Sequence, residues 1–408
     1  MRTFTKLIML LIMTALPVMA AGQELVHSVR GKVTDSATGR PVESVAVSIP
    51  GRHYATVTNA DGEYVIKSDS PIKELQFSFL GYKMERRRVQ PGEETLNVRI
   101  SSQALPLHES IAVTGNPWHI LKEALYNVKD NYPQEPELLE CFYRETVRKR
   151  SRYTYVSEAV ARLYKTGYNR SVYADRAALE KSRVLLSQRR SDTLSIKMMG
   201  GPTEPLFLDV VKNPEVLLDE NIDRYYVASL GSTAYIDDRP QFVVELRPAE
   251  KTDFALYYGT LYIDMQTMAF TRAELSLDMS DKAAATRIIL VKKPLGLRFT
   301  PKKVALTINY SSSGGWYRMS YFRSEIQFNC DWKKRLIATS YSVVNELVIT
   351  DLRADVQPIS RADIFKSSDI LSEKSAEFSD PDFWKDYNII EPSESLEHAI
   401  GKLKKTLK

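Results

Sequence analysis

The chain has two cysteines and five histidines in 408 residues, and each scarcity closes off chemistry. Two cysteines cannot build a disulfide-dense scaffold or a four-cysteine zinc site. His27, His53, His108 and His119 lie at or before residue 119, and His398 sits in the tail. Residues 120–397 therefore hold no imidazole base for a Ser-His-Asp or Cys-His machine. The patterns HExxH, GxSxG and GxGxxG and the phosphate-binding P-loop do not occur. A surplus of one charge is also lacking: 56 basic and 51 acidic residues leave a net +5, which is no argument for nucleic acid. Apolar and charged fractions of 43% and 26% exclude a mainly disordered, collagen-like or coiled-coil chain.

The first residues read as an address. Arg2 and Lys6 precede the apolar run Leu7 to Met13, Pro17 breaks it, and Val18-Met19-Ala20-Ala21-Gly22 supplies small residues for cleavage. This is the pattern of a secretory signal peptide over 1–22, with an apolar core too short to span a bilayer. No cysteine stands near the cleavage point, so the expectation is an exported protein of the periplasm or outer-membrane periphery, without an N-terminal lipid anchor. No later run approaches the roughly 20 apolar residues of a spanning helix.

Residues 23–105 read as an all-β sandwich. Val29, Gly31 and Val33 lead into the turn Asp35-Ser36-Ala37-Thr38-Gly39, and Val45, Val47 and Ile49 alternate with small residues. A second turn at Asn59-Ala60-Asp61-Gly62 precedes Tyr64, Val65 and Ile66; Leu75, Phe77 and Phe79 alternate again, and Thr95 to Ile100 forms the last strand. Gly31, Val33, Asp35, Thr38, Gly39, Pro41, Val45, Val47, Thr58, Asp61, Gly62, Tyr64, Gly81 and Tyr82 together resemble the pattern of the carboxypeptidase regulatory-like domain, a transthyretin-like sandwich. Thr58-Asn59 stands where that module usually has Thr-Asp. The resemblance implies a docking or spacing module and no peptidase, since it is to the accessory sandwich alone. Leu105 to Gly115 resembles the segment that follows this module in Bacteroidetes TonB-dependent transporters. A barrel of about 22 strands, at roughly 9–11 residues each, would consume most of the remaining chain, so a transporter is excluded.

After a linker at 106–116, residues 117–408 read as an α+β domain. Asn116-Pro117 starts a helix with Ile120, Leu121, Ala124, Leu125 and Val128 on one face. Residues 138–146 and 153–164 are strand-like, 176–190 fit helix or strand, and Leu206 to Val211 suits a short helix. From Tyr225 on, strands are expected near 224–230, 241–248, 256–264, 268–279, 284–292, 302–310, 316–330 and 334–350. The short turns between them imply one large, curved antiparallel sheet, half-barrel-like. Pro392 starts a helix whose lysines 402, 404, 405 and 408 suit its C-terminal dipole. This part resembles, more distantly, Bacteroidetes cell-envelope proteins that carry the same module, a resemblance that implies no activity. The residues concerned are Cys141 to Thr146, Gly259 to Asp264 and Phe383 to Tyr387.

Few residues offer chemistry. His119 and Glu123 sit one helical turn apart, two metal ligands without a third. Cys141 and Cys330 fall on expected strands of an exported chain, where a disulfide is chemically allowed; two buried thiols are the alternative. Asp237, Asp238, Glu245, Asp264 and Glu325 would serve glycoside cleavage only if brought about 5–10 Å apart, and three of them fall in turns, where Asp is favoured locally. Tyr257, Tyr258, Tyr262, Trp316, Tyr317, Tyr321 and Tyr341 lie on strands, where aromatics pack across neighbours.

These observations support a non-catalytic envelope protein with no cofactor. Its expected partner is an envelope protein or an apolar or carbohydrate ligand, with peripheral outer-membrane association allowed. A lipid or lipoprotein carrier with an open half-barrel is the alternative. A small outer-membrane barrel of the eight strands after Tyr225 ranks third, because 316–330 carries no continuous lipid-facing band.

Overall fold

The computed structural model describes residues 27–103, 115–187, 197–198, 200–219, 221–249, 252–332, 338–377, 384 and 387–406. The expected signal peptide, most of the expected linker, His108 and the segment 380–383 lie outside these residues.

Seven short strands build the N-terminal part: β1 (His27–Asp35), β2 (Ala46–Ser48), β3 (Ala55–Val57), β4 (Glu63–Ser68), β5 (Glu74–Ser78), β6 (Glu85–Arg88) and β7 (Val98–Ile100). They form two sheets, in the orders β4-β1-β7 and β3-β2-β5-β6, with Val33, Val45, Val47, Ile66, Leu75 and Phe77 between them. The apolar alternation read from the sequence is this inner face. Asp35 closes its turn by accepting from the Thr38 amide at 2.7 Å and the Thr38 hydroxyl at 2.8 Å. Gly62 has φ +75°, and a Cβ there would meet the Val33 carbonyl oxygen at 2.4 Å, so this turn requires glycine.

The larger part begins with helices α1 (Pro117–Tyr126) and α2 (Val128–Asn131). Asn116 caps α1, its side chain accepting from the Trp118 amide, with proline at the first helical position. Then come β8 (Glu137–Lys149), β9 (Arg152–Lys165), β10 (Arg176–Leu186), β11 (Lys197–Met198), α3 (Glu204–Phe207), α4 (Ile222–Tyr225), β12 (Tyr226–Leu230), β13 (Ala234–Ile236), β14 (Arg239–Pro248), β15 (Tyr257–Asp264), β16 (Phe270–Leu277) and α5 (Lys282–Ile289). The chain continues through β17 (Leu290–Lys292), β18 (Leu297–Ser313), β19 (Trp316–Trp332), β20 (Thr339–Arg353), β21 (Ile364–Phe365), β22 (Ala376–Glu377) and α6 (Glu394–Thr406).

Thirteen strands make one curved open sheet in the order β12-β14-β15-β16-β18-β19-β20-β8-β9-β10-β21, with β13 on β14 and β22 on β10. All its pairings are antiparallel except β10 with β22. The eight strands expected after Tyr225 therefore form no closed barrel; instead β20 pairs with β8, an earlier strand. One expected strand, 284–292, is mostly helix α5. Asp281 caps it by accepting from the amides of Ala283 and Ala284, and the alanines that follow favour helix. The ambiguous 176–190 is strand to Leu186, paired with β9 and bulged between Leu179 and Lys181.

The two faces of the sheet are covered unequally. One face carries Leu139, Leu163, Leu261, Leu306 and Phe322 against α1, α5 and the crossing segment Leu206 to Ile222. We call this the core face. The other face is charged and half-solvated except for an apolar island of Phe142, Val160, Tyr321 and Val348. Val57 of β3 and Trp384, Ile389 and Ile390 of the tail cover that island. Apolar residues on both faces of β8 are the sequence trace of this double burial.

Candidate functional site

The sandwich lies against the outer face of the large sheet, and a cleft of about 590 Å³ remains between them. One wall is the outer side of the β3-β2-β5 sheet. Val47 and Phe77 turn inward there, leaving Ala46, Ser48, Gln76 and Ser78 toward the cleft. The side chains are short, and their shortness makes the space. The opposite wall is built by Thr271, Arg272, Asn309, Ser311 and Tyr321 of the large sheet. An adjoining groove of about 510 Å³ shares His53, Arg318 and Leu352 with the cleft and adds Trp316, Pro136 and Val356.

A strap fixes the two parts to each other. Asn388 pairs with Lys67 in both directions, its Oδ1 accepting from the Lys67 amide at 2.7 Å and its Nδ2 donating to the Lys67 carbonyl at 3.0 Å. The Lys67 Nζ donates to the carbonyls of Trp384 and Tyr387 at 2.8 and 2.9 Å. The Thr56 hydroxyl donates to the Ile389 carbonyl at 2.8 Å, and Asn59 donates to that of Pro392 at 3.1 Å. Beneath the strap, Arg144 and Arg183 each reach Glu158 at 2.7 Å. Burial pushes the Glu158 carboxyl up, but the two guanidiniums outweigh it and hold it below the usual range.

At the rim, the Gly81 amide donates to the Tyr235 carbonyl at 3.0 Å, and the Met84 amide to Asp238 Oδ1 at 3.0 Å. Asp237 and Asp238 have φ +54° and +59° between Ile236 and Arg239, which pair. They form a two-residue hairpin turn of the primed type. Asp264 likewise serves a turn, its Oδ1 accepting from the amides of Gln266 and Thr267 at 2.9 and 2.8 Å, while Arg239 pairs with it at 2.7 Å. Glu325 pairs with Lys303 at 3.2 Å and Glu245 with Arg247 at 2.9 Å. The charges of the cleft are thus largely matched internally: Arg318 binds Glu137 at 2.6 Å, and Arg272 binds Glu274 at 2.7 Å. Asp237 Oδ1 is buried without a hydrogen-bond partner among the described residues. Burial raises the Asp237 carboxyl, Ser78 and Arg239 pull it back, and Asp238 adds to the rise.

One pair was missed by reading the two parts separately. His53 of the sandwich brings Nδ1 to 3.1 Å from the Ser313 hydroxyl of the large sheet. The imidazole absent from residues 120–397 thus arrives from another domain. No hydrogen bond orients the exposed ring from its Nε2 side among the described residues, so the dyad lacks a third member.

The remaining candidates separate. His119 and Glu123 lie 3.8 Å apart on the exposed side of α1, and no group of three or more metal-binding side chains occurs among the described residues. Cys141 and Cys330 are free and buried, which corrects the allowed disulfide. Both flank β20, where Cys330 pairs with Thr339 and Cys141 with Ile349. Ten residues along a strand is about 33 Å, far beyond the roughly 7 Å limit between bridged Cα atoms. Burial pushes both thiols up, Cys330 to about 11. Of the expected aromatics, Tyr257, Tyr317 and Tyr341 belong to the core face and Tyr321 to the outer island. Tyr258 packs partly buried against the core, Tyr262 donates to Glu274 at 3.3 Å, and Trp316 lines the groove.

Two polar clusters also pin the crossing segment to the core face. Asp209 accepts from Lys165, from Tyr310 at 2.8 Å and from Tyr168 at 3.1 Å. Glu204 of α3 accepts from Ser324 at 3.1 Å and Asn345 at 2.6 Å. Glu145 accepts from Tyr143 at 3.4 Å, and Tyr143 in turn accepts from the Gly201 amide at 2.9 Å. Burial raises Glu145 to about 7 and Glu204 to about 8, the latter helped by repulsion from Glu145.

Residues 29–112 match the family model of the CarboxypepD_reg-like domain, in agreement with the resemblance carried by Gly31 to Tyr82. No curated protein matches the chain. Among solved structures, a domain from Vibrio parahaemolyticus described as an outer membrane lipoprotein-sorting protein is similar at 12% identity and TM-score 0.27, over 58% of this chain and 93% of that one. A LolA superfamily protein from Nitrosomonas europaea is similar at 12% identity and TM-score 0.22, over 62% and 99%. A DUF1329 family protein from Desulfovibrio piger is similar at 12% identity and TM-score 0.26, over 61% and 97%.

Proposed function

We propose that this is an exported, non-catalytic envelope protein that holds a ligand or a segment of a partner protein between its regulatory-like sandwich and its large sheet. The cleft of about 590 Å³ carries this reading. Its walls come from the sandwich and the large sheet, its charges are largely paired within the chain, and Asp237 Oδ1 is a buried acceptor without a partner among the described residues. Pockets of this size, with a few convergent polar groups, are the ordinary form of a binding site. A carrier that shelters an apolar chain on the core face is the weaker reading, because Leu206, Leu208, Val210 and Leu217 already fill that face.

The test is affinity capture from the native envelope, with co-purifying lipids and proteins both identified by mass spectrometry. Wild type is compared with Ser48→Trp, which fills the cleft from the sandwich side. A component retained by wild type and lost from the folded variant supports the proposal. Equal retention by both proteins, or none by either, contradicts it.

A further inference from the structure

The large sheet ends in a basic rim, and we propose that this rim docks on an anionic phospholipid bilayer. The topology brings three separate segments to the same end of the sheet. The β8–β9 hairpin presents Arg148, Lys149, Arg150 and Arg152. The turn between β17 and β18 presents Lys292 and Lys293, with Arg298 just inside β18. Helix α6 brings Lys402 and Lys405 toward this end, since Leu403 packs on Leu185 near the end of β10. Within 148–152, 292–298 and 401–406 every charged residue is Lys or Arg.

The chain as a whole carries only +5, so the concentration of charge is local. Asp331, an acidic residue at this end, is buried against the Thr339 hydroxyl. From β18 to β10 the rim crosses five strand spacings, about 24 Å at roughly 4.8 Å each. That is a line of contact rather than a pocket for a single phosphate.

An apolar tip distinguishes this rim from a simple polyanion site. Leu295 is 98% exposed at the head of its turn, next to Pro294, and Leu186 is 43% exposed at the end of β10. Apolar side chains projecting from a basic surface suit the headgroup region, where lysines and arginines meet phosphates and leucine enters the acyl boundary. Nucleic acid or an acidic protein would use the charges but give Leu295 no apolar medium. The surface is separate from the cleft, so its failure and that of the binding proposal are distinguishable.

Co-sedimentation of the full chain with vesicles tests this, using phosphatidylcholine alone and phosphatidylcholine mixed with phosphatidylglycerol. Binding is expected to the mixed vesicles and to weaken with salt, as exposed charges are screened over about 10 Å at 0.1 M. Arg150→Gln with Lys292→Gln should reduce affinity at least about tenfold, given roughly 1 kcal/mol for each basic residue at such a surface. Leu295→Ser should reduce it further while leaving the salt dependence unchanged. All three positions are exposed, and unchanged thermal unfolding would show the variants folded. Equal binding to both vesicle types, or full binding by Leu295→Ser, would overturn the proposal. Binding to a soluble polyanion as tight as to the mixed vesicles would overturn it as well.

Discussion

Trp384 donates its indole N–H to the carboxylate of Glu158 at 3.1 Å, while its ring stands edge-on to Phe142. A tail residue thereby completes an ion cluster buried on the outer face of the sheet. Glu158 has two guanidiniums and one indole around it and is 1% exposed. Glu158→Gln should lower stability by about 3–5 kcal/mol, because two arginines lose their counter-charge where water cannot replace it. Chemical denaturation measures this. A loss below about 1 kcal/mol would mean that the cluster is solvated.

The strap makes a narrower prediction. Asn388 copies a strand's pairing onto the Lys67 backbone, so Asn388→Ala removes the hydrogen bonds it makes to one amide and one carbonyl of β4. Each lost partner costs about 1–3 kcal/mol where the groups stay buried. Hydrogen exchange should rise in β4 and β3 while β18 and β19 remain protected. Uniform loss of protection would show that the two parts unfold as one unit.

The core-face carboxyls give a pH dependence. Glu145 at about 7 and Glu204 at about 8 both lie above the ordinary value of 4.5, so between pH 4.5 and 8 the folded chain holds more protons than the unfolded one. Stability therefore falls as pH rises through that window. Protonated Glu204 also explains an orphan: Asn345 Oδ1 is buried without a partner, and an amide flip would let it accept the Glu204 proton. Glu204→Gln should flatten the upper part of the profile and gain on the order of 1 kcal/mol over wild type at pH 8. A wild-type profile rising across this window would contradict the assignment.

Thiol titration of unreduced, denatured protein should count two free cysteines. A count of zero would require a bridge that about 33 Å of strand separation forbids.

Local features were legible in the sequence. Alternation at Val45, Val47 and Ile49, the Asp35 and Gly62 turns and the Asn116-Pro117 start each act within a few residues, and most meander strands end within a few residues of their turns. Asp281 with three alanines after Lys282 was a readable helix signal, but β-branched Ile288 and Ile289 drew the segment toward strand. What resisted reading is long-range. His53 meets Ser313, and Thr56 meets Ile389, across separations of 260 and 333 residues, for which no local pattern exists. The cleft was half visible, since small residues between Val45, Val47 and Ile49 mark its wall, but nothing in the sequence says what faces them.

The central claim is that the space between sandwich and sheet is occupied in the native envelope. A photo-reactive phenylalanine analogue at Ser312 in the cleft, compared with one at Lys122 on the exposed side of α1, tests it most directly. The account predicts a discrete adduct from Ser312 alone, lost when Ser48→Trp fills the space. Identical labelling from both positions, or an adduct that survives Ser48→Trp, would contradict it.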